Sequence, residues 1–425
     1  MGMAAGLVVV GLAGYGFLAL AGHTLSTDDA AALSSFYLII SIVGPGVFAG
    51  LEQETSRSTS AWLTAGRPFG VIARRAVLLT ACLLAAVLAA LLAASPLITQ
   101  RGLAGQWGLF AALLIGVVGA AAAYLVRGLL GGRQRFSGYA ATLGGEGASR
   151  ILLCLVVVLV GSGGPTAYGM VFAIGLAISA LVGLPALRRS GDPLTAPPTE
   201  NPPEALRDMA RGLGLLVGAT LGFQTVANVA PVLVTGRLAQ DTATAAAFAS
   251  AFVLVRVPVL LFAAVQAMLL PALTQAATRG DLVAVRATLT KIVAALAAIG
   301  VPTVVLSLVL GPWAVGFLFD AKVRLSGGVV ALLAVSSILL MLTQVLLPAL
   351  IAIGRHRVVM VGWTVGGAVL LGFVLLHPDP VWGAVWGQMA SCGLVVVVMA
   401  ARMVRALRAS AAPTTAEPVL VPEKR

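Results

Sequence analysis

Long apolar runs, separated by short polar or Pro- and Gly-rich breaks, set the pattern of this chain. Twelve of these runs have about the 20 residues that a helix needs to cross about 30 Å of hydrocarbon. The pattern therefore predicts an all-α polytopic membrane protein with about 12 transmembrane helices. Helices two, five and eight, expected over residues 31–51, 139–160 and 245–270, carry the prolines and charges considered below.

The composition supports this prediction and excludes several classes of protein. Of the 425 residues, 60% are hydrophobic and 10% are charged, against about a quarter charged in soluble domains. Cys82, Cys154 and Cys392 lie within apolar runs and form neither a CxxC pair nor a zinc-ligand spacing. The chain contains no GxxxxGK[ST] phosphate-binding loop. We therefore expect a protein that is not an enzyme and that uses no cofactor and no metal.

The net charge of +12 reflects where the basic residues stand along the chain. Of the 27 Lys and Arg residues, 21 fall on the connections on one side of the predicted membrane and four on the other. Arg150 and Arg256 remain within helices. Because basic residues concentrate on the cytoplasmic side, both termini are expected in the cytoplasm. The charge therefore indicates topology, and we expect no binding to nucleic acid.

A polar, Pro-rich stretch between the sixth and seventh helices divides the chain in two. We expect an N-terminal six-helix bundle over residues 1–187, a cytoplasmic linker over 188–211, a C-terminal six-helix bundle over 212–403 and a disordered cytoplasmic tail over 404–425. Each bundle then enters the membrane from the cytoplasm. The two bundles are expected to be related by a parallel pseudo-two-fold axis, which suits alternating-access transport.

A weak internal repeat supports this division. A displacement of 213 positions aligns Pro45 of helix two with Pro258 of helix eight, and Gln53 with Gln266. Because proline frees a carbonyl and bends a helix, Pro45 and Pro258 are our candidates for conformational hinges. The alternative is an ordinary proline kink, which is common in membrane helices.

Arg256 is the principal candidate for binding a substrate. An arginine at a helix centre costs about 2.5–3.5 kcal/mol on insertion scales, so it should face the bundle interior or a hydrated cavity. Its permanently charged guanidinium group can donate two parallel hydrogen bonds to the oxygens of a phosphate. Arg256 is therefore predicted to bind a diphosphate. The alternative is a structural partner for Glu146 or for a helix carbonyl.

Six other charged residues complete the candidate site. Glu146 and Arg150 lie four residues apart on one face of helix five. They are expected either to bind substrate or a coupling ion, or to form a structural ion pair. A cytoplasmic gate, or contacts with lipid headgroups, is predicted for the charged residues at the cytoplasmic helix ends, which are Glu52, Glu54, Arg57 and Arg127.

Several short motifs resemble those of a known family. They are SIVGPG at 41–46, LEQETSR at 51–57, Arg127-Gly128 with Gly132 and Arg135-Phe136, and RVP at 256–258 with Gln266, Pro271 and Gly280-Asp281. These segments resemble actinobacterial polysaccharide-biosynthesis membrane proteins of the multidrug/oligosaccharidyl-lipid/polysaccharide exporter superfamily.

The resemblance implies a flippase. Such a protein would sit in the bacterial plasma membrane and move a polyprenyl-diphosphate-linked oligosaccharide from the inner to the outer leaflet. Its cavity would be lined by helices one, two, seven and eight. Its partners would be the lipid-linked sugar and membrane lipids, with a proton or a sodium ion as candidate coupling ion. It would act as a monomer alongside glycosyltransferases and a polymerase.

Two alternatives stay open at this point. A cation-coupled multidrug efflux antiporter of the same superfamily should place carboxylates in its cavity, and helices one, two, seven and eight offer only Glu52 and Glu54. An inactive scaffold in cell-envelope polysaccharide assembly should carry an additional domain for its partners, whereas the C-terminal tail is short.

Overall fold

The computed structural model describes residues 2–161, 163–188, 206–259, 262, 282–352 and 356–411. Most of the predicted linker, almost all of helix eight beyond residue 259, and the tail beyond residue 411 lie outside the described residues. Gln266, from the predicted repeat, and Pro271 and Gly280-Asp281, from the family motifs, also lie outside them.

Twelve helices, labelled α1 to α12, account for most of the described residues. They are α1 Gly2–Thr24, α2 Thr27–Thr64, α3 Phe69–Ala93, α4 Trp107–Gly132, α5 Phe136–Val160, α6 Pro165–Arg188, α7 Leu206–Arg237, α8 Thr242–Leu254, α9 Leu282–Val309, α10 Gly327–Ala352, α11 His356–Leu376 and α12 Pro380–Ala411. A short helix, Gly311–Phe319, joins α9 to α10 and is called the outer helix below. The end of the molecule that holds it is called the outer end, in keeping with the predicted orientation.

The described helices confirm an all-α polytopic membrane protein. Within the described residues, 11 helical segments are long and apolar enough to span a membrane, and α1 adds a shorter apolar stretch over Val9–Thr24. Polar caps help to fix the outer ends. The Ser26 side chain accepts a hydrogen bond from the Asp29 backbone N–H at the start of α2, and Asp241 accepts one from Thr244 at the start of α8.

Three helix boundaries differ from the sequence prediction. α2 continues to Thr64 because residues 52–64 contain neither Pro nor Gly, and it ends before Gly66, which has a φ of 70°, and Pro68. α7 begins at Leu206, so the end of the predicted linker is helical. α12 extends to Ala411, into the predicted tail, since Pro413 is the first proline or glycine after Gly393.

The largest difference concerns helix eight, which was expected to run without a break over 245–270. α8 instead ends at Leu254, because Pro258 has no N–H for the Leu254 carbonyl and its ring crowds that carbonyl. The backbone tightens through i to i−3 hydrogen bonds from Arg256 to Val253 and from Val259 to Arg256, each 3.0 Å long. Arg256 therefore lies in a helix break and not at a helix centre. α2, in contrast, stays helical across Pro45.

The two halves meet mainly where α2 packs along α7. Glycines allow this close approach: a Cβ on Gly50 would lie 2.8 Å from the Val217 backbone nitrogen. The Thr220 hydroxyl donates to the Gly46 carbonyl across the same contact, at 2.6 Å. We call this contact the α2–α7 seam.

Candidate functional site

Arg256 is bound to a carbonyl that a proline has freed. Its Nη2 donates to the Ala227 carbonyl of α7 at 2.5 Å. Pro231 stands four residues after Ala227 and has no N–H to offer that carbonyl. The Arg256 guanidinium also lies 4.5 Å from the centroid of the Phe252 ring. Of the two structural partners considered for Arg256, the structure therefore shows the helix carbonyl.

Two other polar residues of the C-terminal half, Gln388 and Cys392, lie near Arg256. Gln388 donates to the Val226 carbonyl at 3.0 Å and to the Cys392 sulfur at 3.4 Å, and Cys392 lies within electrostatic range of Arg256. Two buried atoms of this group, Arg256 Nε and Gln388 Oε1, have no hydrogen-bond partner among the described residues. We call Arg256, Gln388 and Cys392 the C-half polar cluster. The cluster combines a cation with one unpaired donor and one unpaired acceptor.

The C-half polar cluster lies close to the N-terminal half. Tyr15 of α1 is within electrostatic range of Arg256, and Tyr37 of α2 is within range of Tyr15 and of Arg150. Both tyrosines are half-buried. Arg256 therefore lies near the boundary between the halves, where alternating access would expose a substrate site.

The N-terminal half contains a separate ionic network. Glu146 accepts from Arg150 at 2.7 Å and from Arg127 at 2.5 Å. Arg127 also donates to Thr142 and to Ser179, which joins α4 to α5 and α6. All three charged side chains are at most 6% exposed. We call Arg127, Glu146 and Arg150 the N-half triad, which carries one excess positive charge.

The N-half triad corrects the placement of Arg127. That residue was expected at a cytoplasmic helix end, as part of a gate or in contact with headgroups. Its side chain lies inside the bundle, away from headgroups, and its role in a gate stays a prediction. The sequence carried a signal for this burial, since apolar residues resume after Arg127 and α4 continues to Gly132. Glu146 and Arg150 do pair, as their spacing indicates, but the contacts of Glu146 are with Arg127 and Arg150, not with Arg256.

The remaining gate candidates, all on α2, face different helices: Glu52 faces α5, whereas Glu54 faces α7. Glu52 accepts a hydrogen bond from the Tyr139 hydroxyl of α5 at 2.5 Å. Glu54 is buried and accepts from Arg57 at 2.7 Å. Its Oε2 would lie only 2.8 Å from a Cβ added to Gly212 of α7. Glu54 and half-exposed Arg57 therefore stand at the cytoplasmic end of the α2–α7 seam, and their role as a gate stays a prediction.

Two basic residues that were not among the candidate site residues cap a helix. Arg133 donates to the Leu187 carbonyl at 2.7 Å, and Arg135 donates to the Ala186 carbonyl. Both carbonyls lie in the last turn of α6, where no backbone N–H remains to bind them. Cations are also favourable at this end of the helix dipole. Within the described residues, no group of three or more His, Cys, Asp and Glu side chains could hold a metal ion.

The halves also touch at the outer end. Asp28, in the first turn of α2, accepts a hydrogen bond from the Thr242 hydroxyl in the first turn of α8 at 2.5 Å. At Gly22 of α1, an added Cβ would lie 2.6 Å from the Phe319 carbonyl oxygen of the outer helix. We call these two approaches the outer contact.

Comparison with solved structures places the chain in a known fold, although no family model and no curated protein sequence matches it. An inward-facing multidrug resistance MATE family transporter of the MOP superfamily aligns with a TM-score of 0.74 at 15% identity, over 95% of this chain and 96% of that chain. An outward-facing structure with the same description gives 0.64 at 16% identity, over 95% and 94%.

A third similar structure is a MOP superfamily transporter from Pyrococcus furiosus, for which a reverse polarity of the binding pocket suggests a different function. It aligns with a TM-score of 0.64 at 16% identity, over 95% of this chain and 94% of that chain. Nearly all of each chain is aligned, at identities that show a shared fold. The chain is a multi-pass membrane protein with the fold of the MATE transporters of the MOP superfamily.

Proposed function

We propose that this protein is a flippase that moves a polyprenyl-diphosphate-linked oligosaccharide, or a related glycolipid, from the inner to the outer leaflet of a bacterial plasma membrane. The two six-helix halves would expose the substrate site to each side in turn. The observation that carries the proposal is Arg256, a half-buried cation near the boundary between the halves whose Nε–H has no acceptor among the described residues.

The chemistry of such a substrate fits this environment. A lipid tail can stay in the bilayer, whereas a charged and hydroxyl-rich head must be shielded from hydrocarbon. Arg256 supplies a fixed positive charge for a phosphate, and Gln388 adds a polar atom without a partner. A cationic environment suits an anionic headgroup better than it suits a cationic drug.

The observed contacts support a starting state that is closed at the outer end. Asp28–Thr242 and Gly22–Phe319 join the halves there. The better alignment with the inward-facing transporter, 0.74 against 0.64, is in keeping with such a state. A substrate would then enter from the cytoplasmic leaflet.

The experiment is transport of a fluorescent, polyprenyl-diphosphate-linked oligosaccharide in reconstituted vesicles. Arg256→Ala is expected to lower the rate at least about tenfold, equivalent to about 1.4 kcal/mol. Arg256→Lys should keep part of the rate because the charge remains. Wild-type transport by both variants would refute the role of Arg256 in binding.

The Pro231→Ala background separates binding from structure. With an N–H at position 231, the Ala227 carbonyl no longer depends on Arg256. If Arg256 serves only as a cap, Arg256→Ala should be harmless to transport in this background. The flippase proposal predicts that Arg256→Ala still lowers the transport rate at least about tenfold in this background.

Multidrug efflux is a second candidate, favoured by one observation. Glu52 and the Tyr139 hydroxyl form a polar pair within the N-terminal half, and an interior carboxylate suits a cationic substrate or a coupling ion. Uptake of a cationic dye by the same vesicles, abolished by Glu52→Gln and unaffected by Arg256→Ala, would support efflux instead.

A further inference from the structure

The outer helix, Gly311–Phe319, has two distinct faces. Gly311, Val315 and Phe319, spaced four residues apart, are buried against the protein. Trp313 and Phe317 lie on the other side and are 57% and 65% exposed. Their rings stack, with centroids 5.2 Å apart and an angle of 8° between the planes. The helix therefore presents a flat aromatic pair away from the protein.

The surroundings of this aromatic pair indicate lipid. The outer helix joins two membrane spans, and the exposed apolar surface of α9, including Val305 and Val309, continues directly into it. Exposed Lys322 and Arg324 follow it in the chain. Trp rings are enriched at the level of lipid headgroups, with basic side chains beside them. The pair is thus placed as a membrane-interface anchor.

The same helix also touches the other half of the protein. The Phe319 carbonyl faces Gly22 of α1 so closely that an added Cβ would lie 2.6 Å away. The helix ends there because Asp320 adopts a left-handed conformation, with a φ of 51°. Lys322 pairs with Asp320 at 2.6 Å just beyond this end. One end of the outer helix therefore forms part of the outer contact.

We infer that the outer helix lies in the headgroup region of the outer leaflet, with Trp313 and Phe317 inserted among the lipids, and holds the C-terminal half against α1. The lipid surface is then a partner of the outer contact, since separation of the halves must move a helix that the membrane retains. This inference needs no particular substrate and holds whether or not the protein is a flippase.

The first test measures the depth of Trp313 in reconstituted vesicles. Tryptophan quenching by lipids with a nitroxide near the headgroup or at the end of the acyl chain is compared between wild type and Trp313→Phe, because the chain has six Trp residues. The fluorescence that wild type shows in excess of Trp313→Phe is the emission of Trp313. We expect the headgroup label to quench this emission. Quenching of the Trp313 emission by aqueous iodide, and by neither lipid label, would overturn the inference.

The second test asks whether the outer helix closes the outer contact. Ser250, which lines the cleft beside Phe319, is changed to Cys in a Cys82→Ser background and labelled with a membrane-impermeant maleimide. Gly22→Val should push the outer helix away and raise the labelling rate at least about tenfold, a change of about 1.4 kcal/mol in the opening equilibrium.

Gly164→Val is the matched control, since Gly164 also lies at the outer end and an added Cβ there meets nothing within 4 Å. It should leave labelling unchanged. Equal labelling in the Gly22 and Gly164 variants would show that the outer helix does not close the contact. The quenching test decides the lipid contact even if Gly22→Val fails to fold.

Discussion

The free-energy cost of placing the Arg256 guanidinium within the membrane is partly offset by two contacts with neighbouring groups. Pro231 frees the Ala227 carbonyl, and the guanidinium binds it at 2.5 Å. The Phe252 ring, 4.5 Å away, adds a cation–π contact worth about 0.5–2 kcal/mol. The sequence indicated a buried arginine with a partner. It could not identify the partner, because Ala227 lies on a different helix and offers a backbone atom.

The link between Pro231 and Arg256 predicts non-additive stabilities. Arg256→Ala should leave the Ala227 carbonyl unpaired and destabilise the protein by about 1 kcal/mol. In the Pro231→Ala background the loss should be smaller, because the new N–H satisfies that carbonyl. Thermal denaturation in detergent of the four proteins in the cycle measures the coupling. Additive losses would mean that the two residues act independently.

The N-half triad predicts a larger effect at Glu146. Glu146→Gln removes the carboxylate that binds both Arg127 and Arg150, and it leaves these two buried cations without a paired anion, with Glu52 only within electrostatic range of Arg127. Breaking a buried pair in this way costs roughly 3–5 kcal/mol, so a marked fall in the denaturation temperature is expected. Lys322→Gln is the control, because the Lys322–Asp320 pair is 62% and 47% exposed and should contribute little. Similar stability of the two variants would contradict the structural role of the triad.

Among the elements, α2 and α8 show how differently two prolines act. Both were predicted as hinges from one repeat, yet α2 is helical across Pro45 whereas α8 breaks before Pro258. Sequence pattern located almost every helix because apolar runs of membrane length are unambiguous. It could not distinguish the two prolines, since the outcome depends on whether neighbouring groups satisfy the freed carbonyl.

The break in α8 predicts a change in amide exchange. Pro258→Ala supplies an N–H for the Leu254 carbonyl, so the helix should continue without a break across residues 255 and 256, into the helical residues 257–259. Hydrogen–deuterium exchange of this segment is expected to slow in the variant. Pro45→Ala serves as the control and should change exchange in α2 much less, because the backbone there is already helical. Unchanged exchange in α8 would show that Pro258 does not cause the break.

For the molecule as a whole, the described contacts between the halves include the α2–α7 seam and the outer contact. The division into two halves followed from the Pro-rich stretch and from the even number of helices on each side. The contacts themselves could not be predicted, because Gly50 and Val217, or Asp28 and Thr242, are distant in sequence and no local pattern pairs them.

Alternating access predicts that locking the outer contact stops transport. A disulfide between Asp28→Cys and Thr242→Cys, in a Cys82→Ser background, should inhibit transport, and a reducing agent should restore it. Asp29→Cys with Gln106→Cys is the matched control: these side chains are 2.8 Å apart at the same end, but both belong to the N-terminal half. Full transport with the Asp28–Thr242 link closed would rule out opening at this contact.

The bond between Arg256 and the Ala227 carbonyl has an evolutionary consequence. A lineage that lost only Pro231 would keep a costly cation whose carbonyl partner had become redundant, and a lineage that lost only Arg256 would keep a proline that exposes a polar backbone atom. The penalty in the second lineage disappears when position 231 also changes, whereas the first lineage still needs its cation to bind substrate. Among homologous sequences, a proline at position 231 should therefore occur together with an arginine at position 256.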